Sequence, residues 1–581
     1  MRNTKIVCTL GPATDDKNVL SQLVDEGMDV ARFNFSHGDY SEHEDRLSQL
    51  RKLLDDKNVR VATMMDTRGP EIRLGLIKNG VTEIITGDKI KLTTEEILGN
   101  KDVVSVNYKE LPKYLSKNDI IYLDDGNITL EVEKVYEDSF DCHIIDGGEI
   151  SDRKKVTIPD VNTGLPAVTK KDVEDIKFGI KQHFDYIAAS FVRSADHVFE
   201  IRKLLDEYRS KMKIISKIEN REGLNNIDEI IKVSDGIMVA RGDLGVEIPQ
   251  EEVPLRQKDM IKKCRIAGKP VIIATQMLDS MMRNPRPTRA ESSDVANAIF
   301  EGADAIMLSG ETAVGKYPVE SVSTMVKIAN TTESGIKYPL KSPHLYDENV
   351  TINDAIGQTV CDMAESLGVK AIITPTQSGF TAKKIAKYRP SVPIIAITPD
   401  PQVQDDLKLI WGVHPVKGVQ LESTDDVLED SVATALKTGF VDEGDLVILT
   451  AGVPAAMPGG TNLIKVHTIG KVIAQGLGIG NKSVSAQAVV VKDNTDLLDV
   501  KPNSIVICHQ SDASYVNALA QAAGIITETG GLSSHAAIVG LNFGKPVIVN
   551  VPNIMRLVSN GDLITMDCER GLIYSGRATI I

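Results

Sequence analysis

Short apolar runs alternate with amphipathic segments between residues 5 and 310 of the chain. Eight of the runs have the length and residue types of buried strands. These predicted strands are Lys5–Gly11, Val30–Ser36, Val61–Thr67, Tyr186–Val192, Lys213–Asn220, Gly236–Gly242, Val271–Met277 and Ala305–Gly310. Helical periodicity follows most of them, as at Val19–Glu26, Glu42–Leu54, Asp196–Tyr208, Glu252–Ala267 and Ser292–Glu301. Strands that alternate with helices indicate a parallel sheet, and eight such units predict a closed (β/α)8 TIM barrel in an α/β protein.

Charged and hydroxyl side chains stand where these apolar runs end. They are Arg32–His37, Asp66–Arg68, Lys217 with Glu219, Arg241 with Asp243, Thr275–Gln276 and Ser309–Glu311. Catalytic residues of a TIM barrel lie at the carboxyl ends of its strands. The pattern therefore predicts one active site built from six strand ends.

The stretch Lys213–Gly245 contains three of the charged candidates for the active site. Lys217 and Glu219 share a face of one predicted strand, because alternate strand residues point the same way. A predicted helix over Glu222–Val233 leads to the next strand, which ends at Asp243. Two carboxylates beside a lysine suit Mg²⁺ with a phosphate-bearing substrate, and they equally suit a buried ion pair.

The barrel pattern stops after the third predicted strand. Residues 70–168 lack helical periodicity, and their alternating runs predict an all-β insertion. The runs are Val81–Thr86, Lys89–Leu92, Ile120–Leu123 and Thr129–Val135. A domain inserted at the active-site end of a barrel is favoured as a lid that excludes water, with a decorative or oligomer-contact domain as the alternative.

Two further α/β patterns follow the barrel. In the first, the turn Thr376–Thr381 opens a helix, which is typical of an anion site or of an ordinary helix cap. In the second, from about Lys482, a Gly-Gly turn leads to His535 at a predicted helix start. That imidazole could meet a phosphate or simply cap the helix.

Two glycine-rich motifs favour no nucleotide site. Gly310–Tyr317 nearly has P-loop spacing, but Tyr317 replaces the Mg²⁺-binding hydroxyl and Pro318 follows at once. Gly476–Gly480 lacks a strand–helix–strand context and is interpreted as a linker. The sequence shows neither a zinc-type cluster nor a G-x-S-x-G elbow.

Composition narrows the class of protein. A chain of 581 residues predicts about four domains. The net charge of −15 argues against nucleic-acid partners, and no apolar stretch approaches the length of a membrane span. Six scattered cysteines without a C-x-x-C pair indicate reduced core thiols, so a cytoplasmic protein is expected.

Taken together, the strand-end motifs resemble those of the pyruvate kinase family. The matching segments are ARFNFSHG (Ala31–Gly38), DTRGPEIR (Asp66–Arg73), ISKIEN (Ile215–Asn220), VARGDLG (Val239–Gly245), ATQML (Ala274–Leu278) and MLSGETAVGKYP (Met307–Pro318). They occur in the family's order, and the resemblance runs to about Val472. The tail resembles the swivelling phosphohistidine domain of PEP-utilising enzymes, whose motif is matched around His535.

The resemblance implies a layout of four domains and one reaction. The barrel would comprise residues 1–69 and 169–340, the lid 70–168, an α/β effector-binding domain 341–474, and the phosphohistidine-like domain 475–581. The reaction would be phosphoryl transfer from phosphoenolpyruvate to ADP, giving ATP and pyruvate. A homotetramer is implied as well.

The resemblance also implies roles for individual residues. Glu219 and Asp243 would bind Mg²⁺ or Mn²⁺, and Asn34, Ser36, Asp66 and Thr67 would bind K⁺. Lys217, Arg32, Arg73, Thr275, Ser309 and Glu311 would be catalytic, the last three near a proton relay to the enolate. Substrate contacts would come from Arg32, Lys217, Gly242, Asp243 and Thr275, and nucleotide contacts from Asn34, His37, Arg73 and Lys154. Thr376, Ser378, Gly379 and Thr381 would bind the effector, and His535 would occupy the phosphorylated position of its motif.

Two features within the resemblance, one a match and one a departure, refine the expectations. Glu71 stands where K⁺-dependent family members carry glutamate, so K⁺ dependence is expected. Gly452–Gly460 lacks the arginine of members activated by fructose 1,6-bisphosphate, so AMP or ribose 5-phosphate is favoured as the effector. A phosphohistidine is not needed for the reaction, and a structural or regulatory tail is favoured over a phosphocarrier.

Two other functions compete with this one. An oxaloacetate-type lyase would share the barrel, Mg²⁺ and an enolate, but would not explain the β insertion together with the monovalent-cation residues. A phosphometabolite sensor with an inactive barrel would not explain why each strand end carries the residue that the chemistry needs.

Overall fold

The computed structural model describes residues 2–338, 351–421, 423–452, 460–493 and 495–580. These residues form two compact units. The first contains the described residues up to Tyr338 together with Asp400–Pro415. The second contains the other described residues.

The first unit is built on a closed barrel of eight parallel strands, which confirms the predicted fold class. The strands are Lys5–Leu10, Val30–Asn34, Ala62–Asp66, Tyr186–Ala189, Lys213–Ile218, Gly236–Ala240, Val271–Ala274 and Ala305–Leu308. Each pairs with its neighbour in chain order, and the last closes on the first. The predicted runs overshoot these strands at their carboxyl ends, because the strand-end residues leave the ladder to face the site.

Helices surround the barrel. They are Lys17–Glu26, Tyr40–Lys57, Lys170–Lys181, Ala195–Glu207, Arg221–Asn225, Ile227–Val233, Arg241–Glu247, Val253–Ala267, Arg289–Glu301, Gly310–Ala313 and Pro318–Gly335. The prediction of one helix over Glu222–Val233 is wrong. The Asn226 backbone leaves helical geometry, and its side-chain Nδ2 donates a hydrogen bond to the Arg193 carbonyl (2.9 Å). This contact divides the segment into two short helices.

The interior of the barrel is an apolar core. Its buried members are Val7, Val30, Ala62, Met64, Tyr186, Ala188, Ile215, Met238, Ile272, Ala274, Ala305, Met307 and Leu409. Leu409 comes from outside the barrel sequence, on the segment Asp400–Pro415. That segment is attached further by the ion pair of Arg60 with Asp405 and by a hydrogen bond from Lys5 Nζ to the Val413 carbonyl (2.7 Å).

The insertion is all-β, as predicted. It forms a seven-stranded sheet and a separate two-stranded pair. The strands are Ile72–Arg73, Val81–Ile84, Lys89–Thr93, Val103–Ser105, Ile120–Leu123, Ile128–Val135, Ser139–Asp146, Gly148–Ser151 and Lys155–Thr157. Buried and partly exposed positions alternate along Ile128–Val135, so the domain packs one face of that strand into a core of its own.

Two more sheets are formed outside the barrel and its insertion. A five-stranded sheet comprises Ala371–Pro375, Ile394–Thr398, Val413–Lys417, Leu446–Ala451 and Leu463–Thr468, with helices Ile352–Leu367, Phe380–Ala386 and Thr424–Lys437. An eight-stranded sheet comprises Val472–Gln475, Leu477–Ile479, Ser483–Val491, Ile505–Cys508, Gly524–Thr527, Val547–Val549, Leu563–Asp567 and Leu572–Ser575, with helices Val516–Gln521, His535–Phe543 and Ile554–Leu557. The linker interpretation of Gly476–Gly480 is wrong, because Leu477–Ile479 pairs antiparallel with Val547–Val549.

Two observations bear on the class of protein. All six cysteines are free and buried. Among the described residues, every helix falls short of the length and apolarity that crossing a membrane requires.

Candidate active site

The carboxyl ends of the barrel strands and the inserted domain enclose a polar cavity of about 390 Å³. Its lining residues are Arg32, Asn34, Ser36, His37, Asp66, Arg68, Glu71, Arg73, Asp124, Asp125, Lys154, Lys155, Ser190, Phe191, Lys217, Glu219, Met238, Ala240, Asp243, Ala274, Thr275 and Met307. Most of the residues selected from the sequence meet here, although they come from distant parts of the chain.

Arg32 and Asp66 form a buried pair at the ends of the second and third strands. Arg32 Nε donates to Asp66 Oδ2 (2.7 Å), and its Nη1 donates to the Thr9 hydroxyl (2.9 Å). Burial alone would raise the pKa of Asp66, but the charges of Arg32 and Lys217 outweigh it and lower that pKa. Asp66 is thus a fixed anion that orients two cations.

Lys217 stands at the centre of the charged groups. Its Nζ lies 3.1 Å from Asp66 Oδ1, 2.7 Å from the Ser190 hydroxyl and 3.0 Å from Glu219 Oε1. Burial would lower the pKa of Lys217, but Asp66 and Glu219 raise it, so the side chain is an ammonium. Lys217 therefore forms the buried ion pair that the sequence left as an alternative, and the same ammonium also lines the cavity.

Glu219 and Asp243 are the acidic pair of the site. Burial raises the pKa of Glu219 to about 7, and the nearby charge of Asp243 adds to the effect. Burial would also raise the pKa of Asp243, but Lys155 outweighs it and lowers that pKa. Both carboxyl groups line the cavity, at the ends of two neighbouring strands.

The donor set fits a hard divalent cation that is shared with a substrate. Groups of three or more His, Cys, Asp or Glu side chains suited to a metal do not occur in the described ranges. Mg²⁺ is usually held by only one or two carboxylates together with substrate phosphates and water. Two carboxylates on neighbouring strand ends match that pattern.

Two lysines of the inserted domain reach the cavity. Lys154 Nζ lies 2.5 Å from Asp124 Oδ1, within the same domain. Lys155 Nζ donates a hydrogen bond to Asp243 Oδ1, across to the barrel. Burial would lower the pKa of Lys155, but Asp243 raises it, so a second ammonium lies beside the acidic pair.

Thr275 adopts a strained backbone conformation at the end of the seventh strand. Its φ is 70°, a left-handed value that is rare for a β-branched residue. The Gly242 backbone N–H donates to the Thr275 hydroxyl (2.8 Å), and that hydroxyl donates to the Ala274 carbonyl (2.6 Å). Thr275 lines the cavity, and these two hydrogen bonds fix the orientation of its hydroxyl.

Ser309 and Glu311, selected as proton-relay candidates, do not line the cavity. The Glu311 carboxylate accepts hydrogen bonds from the backbone N–H groups of Leu278 (3.0 Å) and Ser309 (2.7 Å). Burial raises the pKa of Glu311. In this geometry Glu311 ties two barrel loops together, and Thr275 is the relay candidate that faces the cavity.

Three of the four residues selected for a monovalent cation, and all four selected for the nucleotide, line the cavity. Asn34, Ser36 and Asp66 line the cavity, whereas the Thr67 hydroxyl is directed to the Ala188 carbonyl (3.4 Å). Among the nucleotide candidates, exposed His37 lies at the rim. Arg73 donates to Glu71 Oε2 from Nε (2.9 Å) and from Nη2 (2.6 Å), beside the cavity.

A second cavity, of about 80 Å³, lies in the α/β domain of the second unit. It is lined by Thr376, Ser378 and Thr381, as the effector prediction requires, and also by Thr424, Asp430 and Ser431. Gly379 makes the turn, with φ 74°, and its N–H donates to the Thr376 hydroxyl (2.9 Å). Gly452 and Gly460 line the cavity, while 453–459 lie outside the described residues.

His535 begins the helix His535–Phe543 in the C-terminal domain. Its Nδ1 lies 3.0 Å from the Ser511 hydroxyl. The Ser534 hydroxyl next to it is buried without a hydrogen-bond partner. This arrangement fits both a capping and a phosphate-accepting histidine, and the choice between them stays a prediction.

Sequence reasoning missed several groups in the main cavity, including Asp124 and Asp125 of the inserted domain. Ser190 follows the fourth strand directly and could have been found by the same strand-end rule. The Phe191 backbone N–H donates to Glu219 Oε2 (2.6 Å), a contact without a side-chain signal. Lys155 had only a basic tripeptide to mark it.

Three regions of the chain match models of known protein families. Family models match the barrel domain of pyruvate kinase at residues 1–322, the alpha/beta domain of pyruvate kinase at residues 354–467, and the mobile domain of PEP-utilising enzymes at residues 500–571. The first match alone covers more than half of the chain.

Full-length relatives and a solved structure agree as well. Pyruvate kinases from Sporosarcina psychrophila and Geobacillus stearothermophilus are 51% and 49% identical to the chain, and the alignments cover 100% of each protein. The crystal structure of a pyruvate kinase from Cryptosporidium parvum superposes with a TM-score of 0.76 at 40% identity, covering 80% of this chain and 96% of that one. The chain belongs to the pyruvate kinase family.

Proposed function

We propose that this chain transfers the phosphoryl group of phosphoenolpyruvate to ADP, with uptake of one proton, to give ATP and pyruvate. The central support is the position of Lys217, an ammonium held by Asp66 and Glu219 inside a polar cavity. Phosphoryl transfer needs positioned positive charge more than covalent help from the protein. Arg32, Lys217 and Lys155 supply such charge from three directions.

Glu219 and Asp243 are the residues that would hold Mg²⁺ or Mn²⁺. A divalent cation bound there supplies positive charge to phosphate oxygens and links substrate to protein. Asp66 fixes Arg32 and Lys217 so that both cations face the transferring group. The inserted domain covers the cavity with Lys154 and Lys155, and its closure would exclude water that could otherwise take the phosphoryl group.

The enolate left after transfer must gain a proton on carbon. The Thr275 hydroxyl is the group that faces the cavity from the seventh strand, with its orientation fixed by the Gly242 N–H. We assign it to positioning a proton donor, through a water chain, beside the enolate carbon. Glu311 and Ser309 would act only behind it, because neither lines the cavity.

A coupled assay for pyruvate tests the function together with its K⁺ requirement. Phosphoenolpyruvate, ADP and Mg²⁺ should give ATP and pyruvate, and turnover should fall by about tenfold or more when tetramethylammonium replaces K⁺, since cavity charge is lost. Glu71→Lys, which places an ammonium at the same cavity, should reduce that difference. Equal turnover with and without K⁺ or Na⁺ would contradict the K⁺ role.

The same assay separates the two rival functions. A lyase would release pyruvate from a carboxylated substrate and would not need ADP. A sensor would bind phosphoenolpyruvate without turnover. Formation of ATP and pyruvate in equal amounts is expected here, and its absence would contradict the proposed reaction.

We also propose that a monophosphate, AMP or ribose 5-phosphate, activates the enzyme at the second cavity. Five hydroxyl side chains line it, from Thr376, Ser378, Thr381, Thr424 and Ser431. Among the described residues, its lining includes Asp430 but neither Lys nor Arg. The segment 453–459 has the sequence VPAAMPG, which adds no basic residue. Such a site suits one phosphate and a hydroxyl-bearing sugar better than two phosphates.

Activation should therefore discriminate between phosphorylated ligands. At low phosphoenolpyruvate concentration, AMP or ribose 5-phosphate should raise the rate several-fold, and fructose 1,6-bisphosphate should have little effect. Ser378→Asp should abolish activation through charge repulsion, while the rate at saturating phosphoenolpyruvate stays as in wild type. Equal activation by the bisphosphate would contradict this assignment.

A homotetramer and a cytoplasmic location complete the proposal. The tetramer rests on the family resemblance. The location is supported by the six free, buried thiols, which suit a reducing compartment.

A further inference from the structure

Lys155, a residue of the inserted domain, forms an ion pair with Asp243 of the barrel. Its Nζ donates a hydrogen bond to Asp243 Oδ1, and the ring of Phe191 lies 4.8 Å from the same nitrogen. Only 14% of the side chain is exposed. The ammonium is thus held by two barrel residues, one through charge and one through the face of an aromatic ring.

The backbone of Lys155 is fixed independently of this contact. Its strand, Lys155–Thr157, pairs antiparallel with Ile72–Arg73 on one side and with Ile120–Leu123 on the other. Because strands on both sides hold this backbone within the inserted sheet, an ammonium that leaves Asp243 can move as far as its side chain reaches. The reach of a lysine side chain then covers the neighbouring space where phosphate groups would bind.

Lys154 provides a natural comparison. It lies next to Lys155, lines the same cavity and carries the same charge, but its Nζ pairs with Asp124 of its own domain (2.5 Å). Any general effect of positive charge on the cavity is shared by both lysines. Of these two lysines, it is Lys155 that donates a hydrogen bond to an Asp243 oxygen.

An ammonium and a divalent cation cannot both be held closely by one carboxylate oxygen without strong mutual repulsion. Asp243 is a proposed ligand of the divalent cation, so Lys155 and the cation would compete for it. Once the cation binds, the displaced ammonium needs a new anionic partner. The phosphate oxygens of the substrates are the anions that the reaction brings into the cavity.

We propose that Lys155 is a positioning residue that competes with the divalent cation for Asp243 and, when displaced, contacts the phosphate oxygens of the bound substrates. The proposal rests on the metal role assigned to Asp243. Under this proposal, metal binding and phosphate binding each strengthen the other, because both favour the position in which the Lys155 ammonium is away from Asp243. Mn²⁺ should accordingly bind more weakly to the substrate-free enzyme than its two carboxylates would allow.

The test is an electron paramagnetic resonance titration of the full-length, substrate-free enzyme with Mn²⁺. Lys155→Met should bind Mn²⁺ about tenfold more tightly than wild type, because its competitor is gone. Lys155→Arg should resemble wild type. Lys154→Met is the matched control, and it should leave the Mn²⁺ affinity within about twofold of wild type, a change too small to indicate coupling.

Turnover supplies the second readout. Lys155→Met should raise KM for phosphoenolpyruvate or ADP about tenfold, the loss expected for one charge-assisted hydrogen bond. Tighter Mn²⁺ binding combined with weaker substrate binding is a pair of opposite changes that a misfolded variant would not produce. The metal titration involves no reaction, so its outcome is independent of whether pyruvate is formed.

Three results would overturn the proposal. They are unchanged or weaker Mn²⁺ binding by Lys155→Met, equal tightening by Lys154→Met, and failure of both wild type and Lys155→Met to bind Mn²⁺. Failure of the proposed reaction would appear instead as absent ATP formation by the wild-type enzyme.

Discussion

Replacing Lys217 by methionine is expected to lower kcat for pyruvate formation by about 10³-fold or more. The ammonium is the cation that Asp66 and Glu219 jointly hold in the cavity, at 3.1 Å and 3.0 Å. Methionine keeps the length of the side chain but removes the charge that would stabilise the transferring group and the enolate. Initial rates at saturating phosphoenolpyruvate, ADP, Mg²⁺ and K⁺ measure the effect.

The same strand offers the control for this experiment. Lys213 lies at its opposite end, where Nζ is 3.4 Å from Asp406 Oδ2. Lys213→Met should leave kcat within about twofold of wild type, as expected for a pair away from the reaction. Thermal unfolding of both variants checks that the fold survives, since Arg32 still pairs with Asp66 when Lys217 is lost. Near-normal turnover by folded Lys217→Met would refute the assigned role.

The second large effect is expected from the acidic pair. Glu219→Gln should lower kcat/KM at physiological Mg²⁺ by about 10²- to 10³-fold, because a neutral amide is a poor ligand for a hard cation. Part of the loss should be recovered as Mg²⁺ is raised to tens of millimolar. Asp243→Asn should behave alike. Rates measured over a Mg²⁺ series separate this loss of metal binding from a loss of chemistry.

Glu229→Gln is the matched control for Glu219→Gln. Glu229 is exposed on the helix Ile227–Val233, outside the cavity. Glu229→Gln should retain the wild-type Mg²⁺ dependence. If Glu219→Gln showed the same Mg²⁺ dependence as Glu229→Gln, Glu219 would not be a metal ligand.

The barrel and most of its site were accessible from the sequence, because both depend on local patterns. Apolar runs such as Lys213–Ile218 mark strands, and the parallel arrangement forces their carboxyl ends to one face. Lys217, Glu219 and Asp243 could therefore be placed together without a structure. Ser190 obeys the same rule.

Lys155 could not be placed in this way. Its partner Asp243 is 88 residues further along the chain. The contact depends on how the inserted domain folds over the barrel end, which no periodicity within either segment encodes. The helix break at Asn226 has a similar origin, since it depends on the carbonyl of Arg193 from another loop.

The other wrong prediction is the linker at Gly476–Gly480, where strand pairing decides the structure. Leu477–Ile479 is rich in glycine on both sides, so its propensity indicates a linker. Its pairing with Val547–Val549 supplies the backbone hydrogen bonds that make it a strand. Propensity describes a residue's local preference, and a partner some seventy positions away overrides it here.

The placement of Leu409 has a consequence for the order in which the chain acquires its structure during synthesis. The residue is fully buried in the interior core of the barrel, yet it follows the last barrel strand by about a hundred residues. Domains of large proteins commonly fold one after another as they leave the ribosome. This barrel cannot complete its interior until Asp400–Pro415 has been translated. A nascent chain that ends soon after Tyr338 would therefore still lack part of its core and would depend on the later segment Asp400–Pro415 to complete it.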